Sequence, residues 1–180
     1  FDNINNLINL SFILEFVKVY KLNKSKLFNS INLFKGLDYR QQVIYKNNFV
    51  TIINDSKSTS FSSSENVLKN LDNVYWILGG IPKKGDKFKL SKVKCKNFKA
   101  FIFGSYHIKF LKILKNKLKV KRFKNLQQTL NAIFLDIKSQ KFKKNIIFFS
   151  PAGASFDSFK NFEERGYFFN QLIKKFIYAK

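Results

Sequence analysis

Four apolar residues in a row, Ile146-Ile147-Phe148-Phe149, run directly into Ser150-Pro151, and nothing else in the chain constrains the fold so narrowly. A short apolar run between polar flanks suits a strand buried on both faces of a parallel sheet. Pro151 lacks a backbone donor and has a fixed φ, so the strand cannot continue past it. Small residues follow (Ala152, Gly153, Ala154, Ser155), which lets backbone N–H groups and the Ser155 hydroxyl come close to a ligand. Asn161 can then cap a helix, with Glu164 placed to complete a capping box. Phe169, Leu172 or Ile173, and Phe176 recur at helical spacing, and Lys174 and Lys175 suit the helix's C-terminal end. A loop at the carboxyl end of a parallel strand, leading into a helix, is where open α/β sheets bind ligands.

Upstream, Leu7, Leu10, Leu14 and Val17 predict an amphipathic helix over residues 4–20, with Glu15 and Lys18 outside. A second helix is expected over about residues 25–34, with Leu27, Ile31 and Phe34 inward and Gly36 ending it. Residues 1–35 therefore read as the helical tail of a preceding domain, and residues 36–180 as a domain of their own. From Gln42 the pattern changes. Residues 43–45 and 49–53 flank Asn47-Asn48 as a hairpin. Ser62 and Glu65 can form a capping box for the next helix. Residues 74–78, 100–103 and 120–123 read as further strands, and 108–114 and 126–137 as helices, the last with Leu130, Ile133 and Phe134 inward. A lysine-rich loop over 83–87 can close like a lid. Strands and helices alternating with short links predict an α/β fold, a Rossmann-like, mostly parallel sheet with helices on both faces. Residues 43–45 supply one antiparallel edge strand, and the two N-terminal helices precede the sheet.

In such a sheet the carboxyl ends of the parallel strands share one edge. Residues 54–59, 79–83 and 150–155 each follow such an end, so three segments converge on one crevice. The groups they bring are Asp55, Lys57, Thr59, Lys83 and Ser155, with Arg40 near the domain entry. Cations and hydroxyls grouped in this way suit a carboxylate or a phosphate. His107 is the single histidine and sits early in a helix, outside this set, and Asp55 has no partner carboxylate at a fixed short spacing. Neither G-x-x-x-x-G-K-[ST] nor G-x-G-x-x-G occurs. The residues thus describe an anion-binding α/β domain without a catalytic engine of its own.

Thirty-four Lys and Arg against eleven Asp and Glu leave a net charge of +23. The lysines are spread along the whole chain, with no RNP-type aromatic motif or basic heptad beside them, so they read as a solvated surface rather than a specific nucleic-acid site. The single cysteine, Cys95, excludes a disulfide framework and a thiolate metal cluster, and reads as a free thiol in a reducing compartment. No apolar run reaches the ~20 residues of a membrane span, and no secretory signal opens the chain. The chain begins at Phe1 and contains no methionine, so it is expected to be a segment of a longer protein.

Several short stretches occur in one order: Gly36-Leu37-x-x-Arg40; Asn54-Asp55-Ser56-Lys57-x-Thr59; Leu78-Gly79-Gly80 with Lys83; and Ser150-Pro151-Ala152-x-Ala154-Ser155-Phe156-Asp157-x-Phe159-x-Asn161-Phe162-x-x-Arg165-Gly166. Together they resemble the carboxyl-terminal domain of the Mur ligases, of the type that adds D-glutamate in peptidoglycan synthesis. Asp2-Asn3-x-x-Asn6 is similar to the family's H-N-x-x-N helix opening, with Asp2 where histidine is usual. Asp38-Tyr39 stands where Pro-His is usual. The resemblance implies a cytoplasmic bacterial enzyme that uses ATP and Mg2+ to convert the carboxylate of UDP-N-acetylmuramoyl-L-alanine to an acyl phosphate, which the amine of D-glutamate attacks. It implies that Arg40 and Asp55 contact ATP. It implies likewise that Thr59, Lys83, Ser155 and Phe162 hold the carboxylates of D-glutamate, with Phe162 acting through its backbone. The resemblance also implies that Lys57 faces the phosphates or the incoming amino acid, and that Lys84 could take the place of Lys83. The P-loop and most of the magnesium ligands are expected upstream, so the fragment alone is expected to be inactive; the complete protein is expected to be monomeric, with no specific nucleic-acid partner and no membrane partner. The alternatives are a stand-alone anion- or nucleotide-binding module and a basic nucleic-acid-binding domain.

Overall fold

The computed structural model describes residues 4–139 and 144–178. Asp2 and Asn3 of the proposed helix opening lie outside the described residues. The chain divides into two compact units, residues 1–36 and 37–180.

The first unit holds α1 (Ile4–Val19) and α2 (Lys24–Leu33). The amphipathic reading of α1 does not hold. Ile8, Phe12, Ile13 and Phe16 fill the faces between the expected apolar positions, and all four are exposed, as are Leu7 and Leu14, while Val17 is buried. Glu15 and Lys18 do lie outside, paired at 3.7 Å. In α2 the Asn23 side chain accepts from the Lys26 N–H and caps the start. Leu27 and Ile31 are half-buried, but Phe34 is exposed because it already lies past the last helical residue, in extended geometry, as the C-cap. Gly36 is therefore not the helix stop; it sits further on, with φ +84°.

The second unit is a six-stranded sheet: β1 (Gln42–Lys46), β2 (Val50–Asn54), β3 (Val74–Gly79), β4 (Phe98–Phe103), β5 (Lys119–Phe123) and β6 (Asn145–Phe149). The order across the sheet is β1-β2-β6-β3-β4-β5, with β1 antiparallel to β2 and every other pair parallel. The hairpin turn falls where Asn47-Asn48 predicts it. The Asn47 side-chain oxygen accepts from the N–H groups of Phe49 and Val50, the local bonding that makes Asn a turn residue.

Strand alternation sorts the core into two layers. Trp76, Leu78, Ala100, Ile102 and Phe148 point to one face, where they pack with Phe61 of α3 (Phe61–Leu68) and Phe110 of α4 (His107–Leu114). Tyr75, Ile77, Phe101, Phe103, Ile147 and Phe149 point to the other, against Leu130 and Ile133 of α5 (Leu126–Ser139) and Phe169, Leu172 and Ile173 of α6 (Phe162–Tyr178). Every residue of β3 is buried, as a central parallel strand requires.

Two local expectations are corrected. The N-cap of α3 is Ser60, not Ser62: the Ser60 hydroxyl accepts from the Ser63 N–H. Glu65 does not close a capping box; it is buried and accepts from the backbone N–H groups of Lys89 and Leu90. The lysine-rich loop is consequently no free lid. Asp86 accepts from the Phe61 N–H at 2.6 Å, Phe88 is buried, and Lys117 donates to the Phe88 carbonyl. Lys83, Lys84, Gly85 and Lys87 stand exposed, but the residues between and beside them are anchored.

Candidate functional site

β6 lies between β2 and β3, so chain segments that are far apart leave neighbouring strand ends on one edge. This is the switch-point geometry in which open α/β sheets hold ligands. Backbone bonds then stitch three loops together. The Asp55 N–H donates to the Phe149 carbonyl, the Ala152 N–H to the Ser58 carbonyl, and the Gly79 N–H to the Pro151 carbonyl. Ile81 and Ala154 exchange both of their bonds, at 2.8 and 2.9 Å. Thr59 and Ser155 are thus each one residue from a stitch, and Lys83 is two residues from one.

A buried guanidinium fastens the assembly. Arg165, with no exposed surface, donates Nε to the Ser56 hydroxyl at 3.1 Å, Nη2 to the Ser56 carbonyl at 2.8 Å and Nη1 to the Gly153 carbonyl at 2.9 Å. Burial lowers its pKa to about 10, and the nearby Asp157 opposes that shift. Asn54 continues the seam from β2 to α6, its amide donating to the Gly166 carbonyl and to the Asn170 side chain. Gly166 is bare for a reason: a Cβ there would meet the Tyr39 ring at 2.4 Å. Tyr39 itself adopts φ +60°, and its carbonyl accepts from the Lys57 N–H, so Tyr39 forms the wall beside this seam.

Asp55 is 6% exposed. One carboxylate oxygen accepts from the Gln41 N–H at 3.2 Å, the other from the Ser150 hydroxyl at 3.0 Å. Ser150 is 2.7 Å from the Ser64 hydroxyl, and Ser64 is 3.0 Å from that of Ser58. Because each hydroxyl has one proton, an ionised Asp55 orients the row: Ser58 donates to Ser64, Ser64 to Ser150, and Ser150 to Asp55. Burial raises the Asp55 pKa to about 7, against the lowering effect of these hydrogen bonds and of the Arg40 charge. From about pH 4 to 7 the folded chain therefore holds a proton that the unfolded chain has released. Its contribution to stability falls as pH rises through that window. Asp55→Asn is expected to flatten this part of the pH profile, read as urea midpoints at pH 5 and pH 8. An unchanged difference between the two midpoints would place the titration elsewhere.

The predicted site residues separate into two groups. Arg40 and Asp55 lie near one another, Arg40 exposed and Asp55 inward-facing. Lys57 and Phe162 are also together: the Lys57 ammonium sits 4.0 Å from the centre of the Phe162 ring, a cation–π contact that holds the lysine in place. The Phe162 carbonyl accepts from the Ser56 hydroxyl at 2.8 Å. Ser155 is buried, and its carbonyl accepts from the N–H groups of Ser158 and Phe159. Thr59, Lys83 and Lys84 are exposed at the rim. Asn54, Ser56 and Arg165 stand in the ordered motifs but were given no role in the site from the sequence, and Ser64 was not singled out at all. For Arg165 a signal existed, since residues 165, 169, 172 and 176 share one helical face and put a cation in line with the core positions.

Among the described residues no three His, Cys, Asp or Glu side chains come together as a metal site. No described helix is long and apolar enough to cross a membrane. No protein-family model matches the chain. Curated relatives do. The chain is 34% identical, over 97% of its length, to the UDP-N-acetylmuramoylalanine–D-glutamate ligase of Rickettsia prowazekii (strain Madrid E), 39% of which is covered. It is 34% identical over 97% of its length to the enzyme of the same name from Wolbachia pipientis wMel, covering 34% of that protein. With the one from Prochlorococcus marinus (strain MIT 9312) it shares 35% identity over 96% of its length, covering 37%. The chain thus spans between a third and two-fifths of the length of these relatives.

Proposed function

Since the chain belongs to the family of UDP-N-acetylmuramoylalanine–D-glutamate ligases, we propose that it is the carboxyl-terminal, amino-acid-binding part of an ATP-dependent ligase joining D-glutamate to UDP-N-acetylmuramoyl-L-alanine. The observation that carries this reading is the stitching of the loops after β2, β3 and β6 into one rim bearing Thr59, Lys83 and Ser155. A dicarboxylate needs cations and donors held at fixed separation. Lys83 and the Ser155 and Thr59 hydroxyls meet that need, with Lys84 next to Lys83. Lys57, held on the Phe162 ring, would face the phosphates or the amino acid. Arg40 would bind the nucleotide as an exposed cation. Asp55 would contribute to the same region through its remaining lone pairs, since both oxygens already accept one hydrogen bond.

ATP would supply the phosphoryl group that activates the acceptor carboxylate. The residues of this chain would hold and orient the amine-bearing substrate, which by fixing the reactants can lower the barrier by roughly 7–11 kcal/mol. Magnesium would be held mainly by the preceding part of the complete protein; among the described residues no three His, Cys, Asp or Glu side chains come together. The exposed apolar residues of α1 suit burial within a preceding, nucleotide-binding domain, for a helix apolar on all sides is ordinarily covered. The cytoplasm is the compartment this activity calls for.

The test is phosphate release by the complete protein with UDP-N-acetylmuramoyl-L-alanine, ATP and either D- or L-glutamate. Release is expected to depend on D-glutamate. Ser155→Ala and Lys57→Ala are each expected to reduce it by about 10²-fold or more, while the 180-residue chain alone releases none. A folded complete protein that is inactive, or equally active with both variants, would overturn the reading.

A further inference from the structure

A second cleft opens on the same edge of the sheet, beyond β3. Its volume is about 520 Å³, and it is lined by Gly104, Ser105, His107, Arg122, Phe123 and Lys124. Pockets for small molecules span roughly 300–1,000 Å³. Gly104 and Ser105 follow the carboxyl end of β4, Phe123 is the last residue of β5, and His107 opens α4. Phe103 and Phe123 are register partners, so the two strand ends stand side by side. The cleft therefore occupies the ligand-bearing edge of the fold, yet none of the residues assigned to the first site lines it.

Its chemistry is one-sided. Arg122 and Lys124 are both exposed, and among the described residues neither takes part in a salt bridge. His107 Nδ1 is committed to the Gly104 carbonyl at 3.0 Å, which leaves Nε2 for another partner. The Tyr106 side chain makes no capping bond at the start of α4, so the first N–H groups of that helix have no side-chain acceptor at the cap. No acidic residue lines the cleft. Asp157 stands close to Gly104 without lining the cleft: its Oδ2 would be 3.4 Å from a Cβ on that glycine. That oxygen is buried without a hydrogen-bond partner, and burial raises the pKa of the group. Phe123 adds a half-buried ring, stacked on Phe101 from the core side.

We propose that this cleft binds a small organic phosphate, the phosphate held by Arg122 and Lys124 and the organic part lying against Phe123. An arginine and a lysine two positions apart, both lining the cleft, match a phosphate's several acceptors, and a cleft of this volume has room for more than the anion. The proposal is independent of the D-glutamate assignment, because the two sites share no residue.

The test is a titration of the 180-residue chain with inorganic phosphate, pyrophosphate and glucose 6-phosphate, in about 150 mM salt so that long-range attraction is screened, followed by amide chemical shifts. Saturable shifts are expected at Gly104, Ser105 and Phe123, with glucose 6-phosphate binding more tightly than inorganic phosphate. Replacing both exposed cations (Arg122→Ala with Lys124→Ala) is expected to weaken binding by at least about tenfold. Ser155→Ala is expected to leave it unchanged, which separates this site from the other. Shifts that never saturate, or that spread equally to Lys174 and Lys175, would assign the response to the general positive charge and overturn the proposal. So would an affinity unaltered in the double variant. Inorganic phosphate binding as tightly as the sugar phosphate would overturn the assignment to an organic ligand.

Discussion

Arg165→Met is expected to lower the stability of the 37–180 unit by about 3–5 kcal/mol, read as a fall in the urea midpoint at constant slope. The guanidinium is fully buried and supplies three hydrogen bonds to two loops that no secondary structure joins. Methionine fills much of the space but leaves the Ser56 and Gly153 carbonyls without those donors, at roughly 1–3 kcal/mol each. Arg165→Lys retains the charge and is still expected to lose most of the stability. A single ammonium on a flexible stem cannot present donors along the three directions that the planar fork reaches. Loss of less than about 1 kcal/mol in the methionine variant would mean that water replaces the clamp and that the loops are held by their backbone bonds alone.

Gly80→Ala should be the most damaging single change at the rim itself. Gly80 has φ +97°, and a Cβ there would lie 2.3 Å from the Ala154 carbonyl oxygen. That oxygen accepts the Ile81 N–H in the paired bonds that join the β3 loop to the β6 loop. The alanine must break this pair or shift it, at an expected cost of about 2–4 kcal/mol from strain and overpacking together. Ser155 is the next residue after Ala154, so a displacement of about 1 Å there should reduce ligase turnover in the complete protein by about 10²-fold. Amide exchange at Ile81 and Ala154 measures the first effect and phosphate release the second. Gly85→Ala is the control, since φ is +74° there but nothing lies within 4 Å of the added carbon, leaving backbone strain alone. Equal losses in the two variants would show that φ, and not the contact with Ala154, sets the cost.

Much of this arrangement can be read along the chain. The run Ile146 to Phe149, stopped by Ser150-Pro151, predicts a buried parallel strand and is one: β6 lies between two parallel neighbours. Asn161 caps α6, accepting from the Glu164 N–H, while the Glu164 carboxylate reaches back to the Lys160 N–H rather than to that of Asn161. The hairpin at Asn47-Asn48 and the helix stripe of Leu130 and Ile133 are equally local in origin. Two expectations failed where a distant partner intervenes. Glu65 sits at capping-box spacing from Ser62, but its carboxylate serves the backbone of residues 89 and 90. The lysine-rich loop has the composition of a lid, yet Asp86 and Phe88 anchor it to α3 and to the core.

The sequence by itself determined the period of each element, the strand ends and the residue types at the three loops, because propensity, alternation and turn chemistry act between residues a few positions apart. Only the tertiary structure decided the insertion of β6 between β2 and β3, and hence which loops meet. It also decided that Arg165 points inward as their clamp, that Lys57 rests on Phe162, and that Asp55 is buried among serines with a pKa near 7. Those outcomes depend on desolvation and on hydrogen bonds between groups about a hundred residues apart, and neither leaves a periodic trace in the chain.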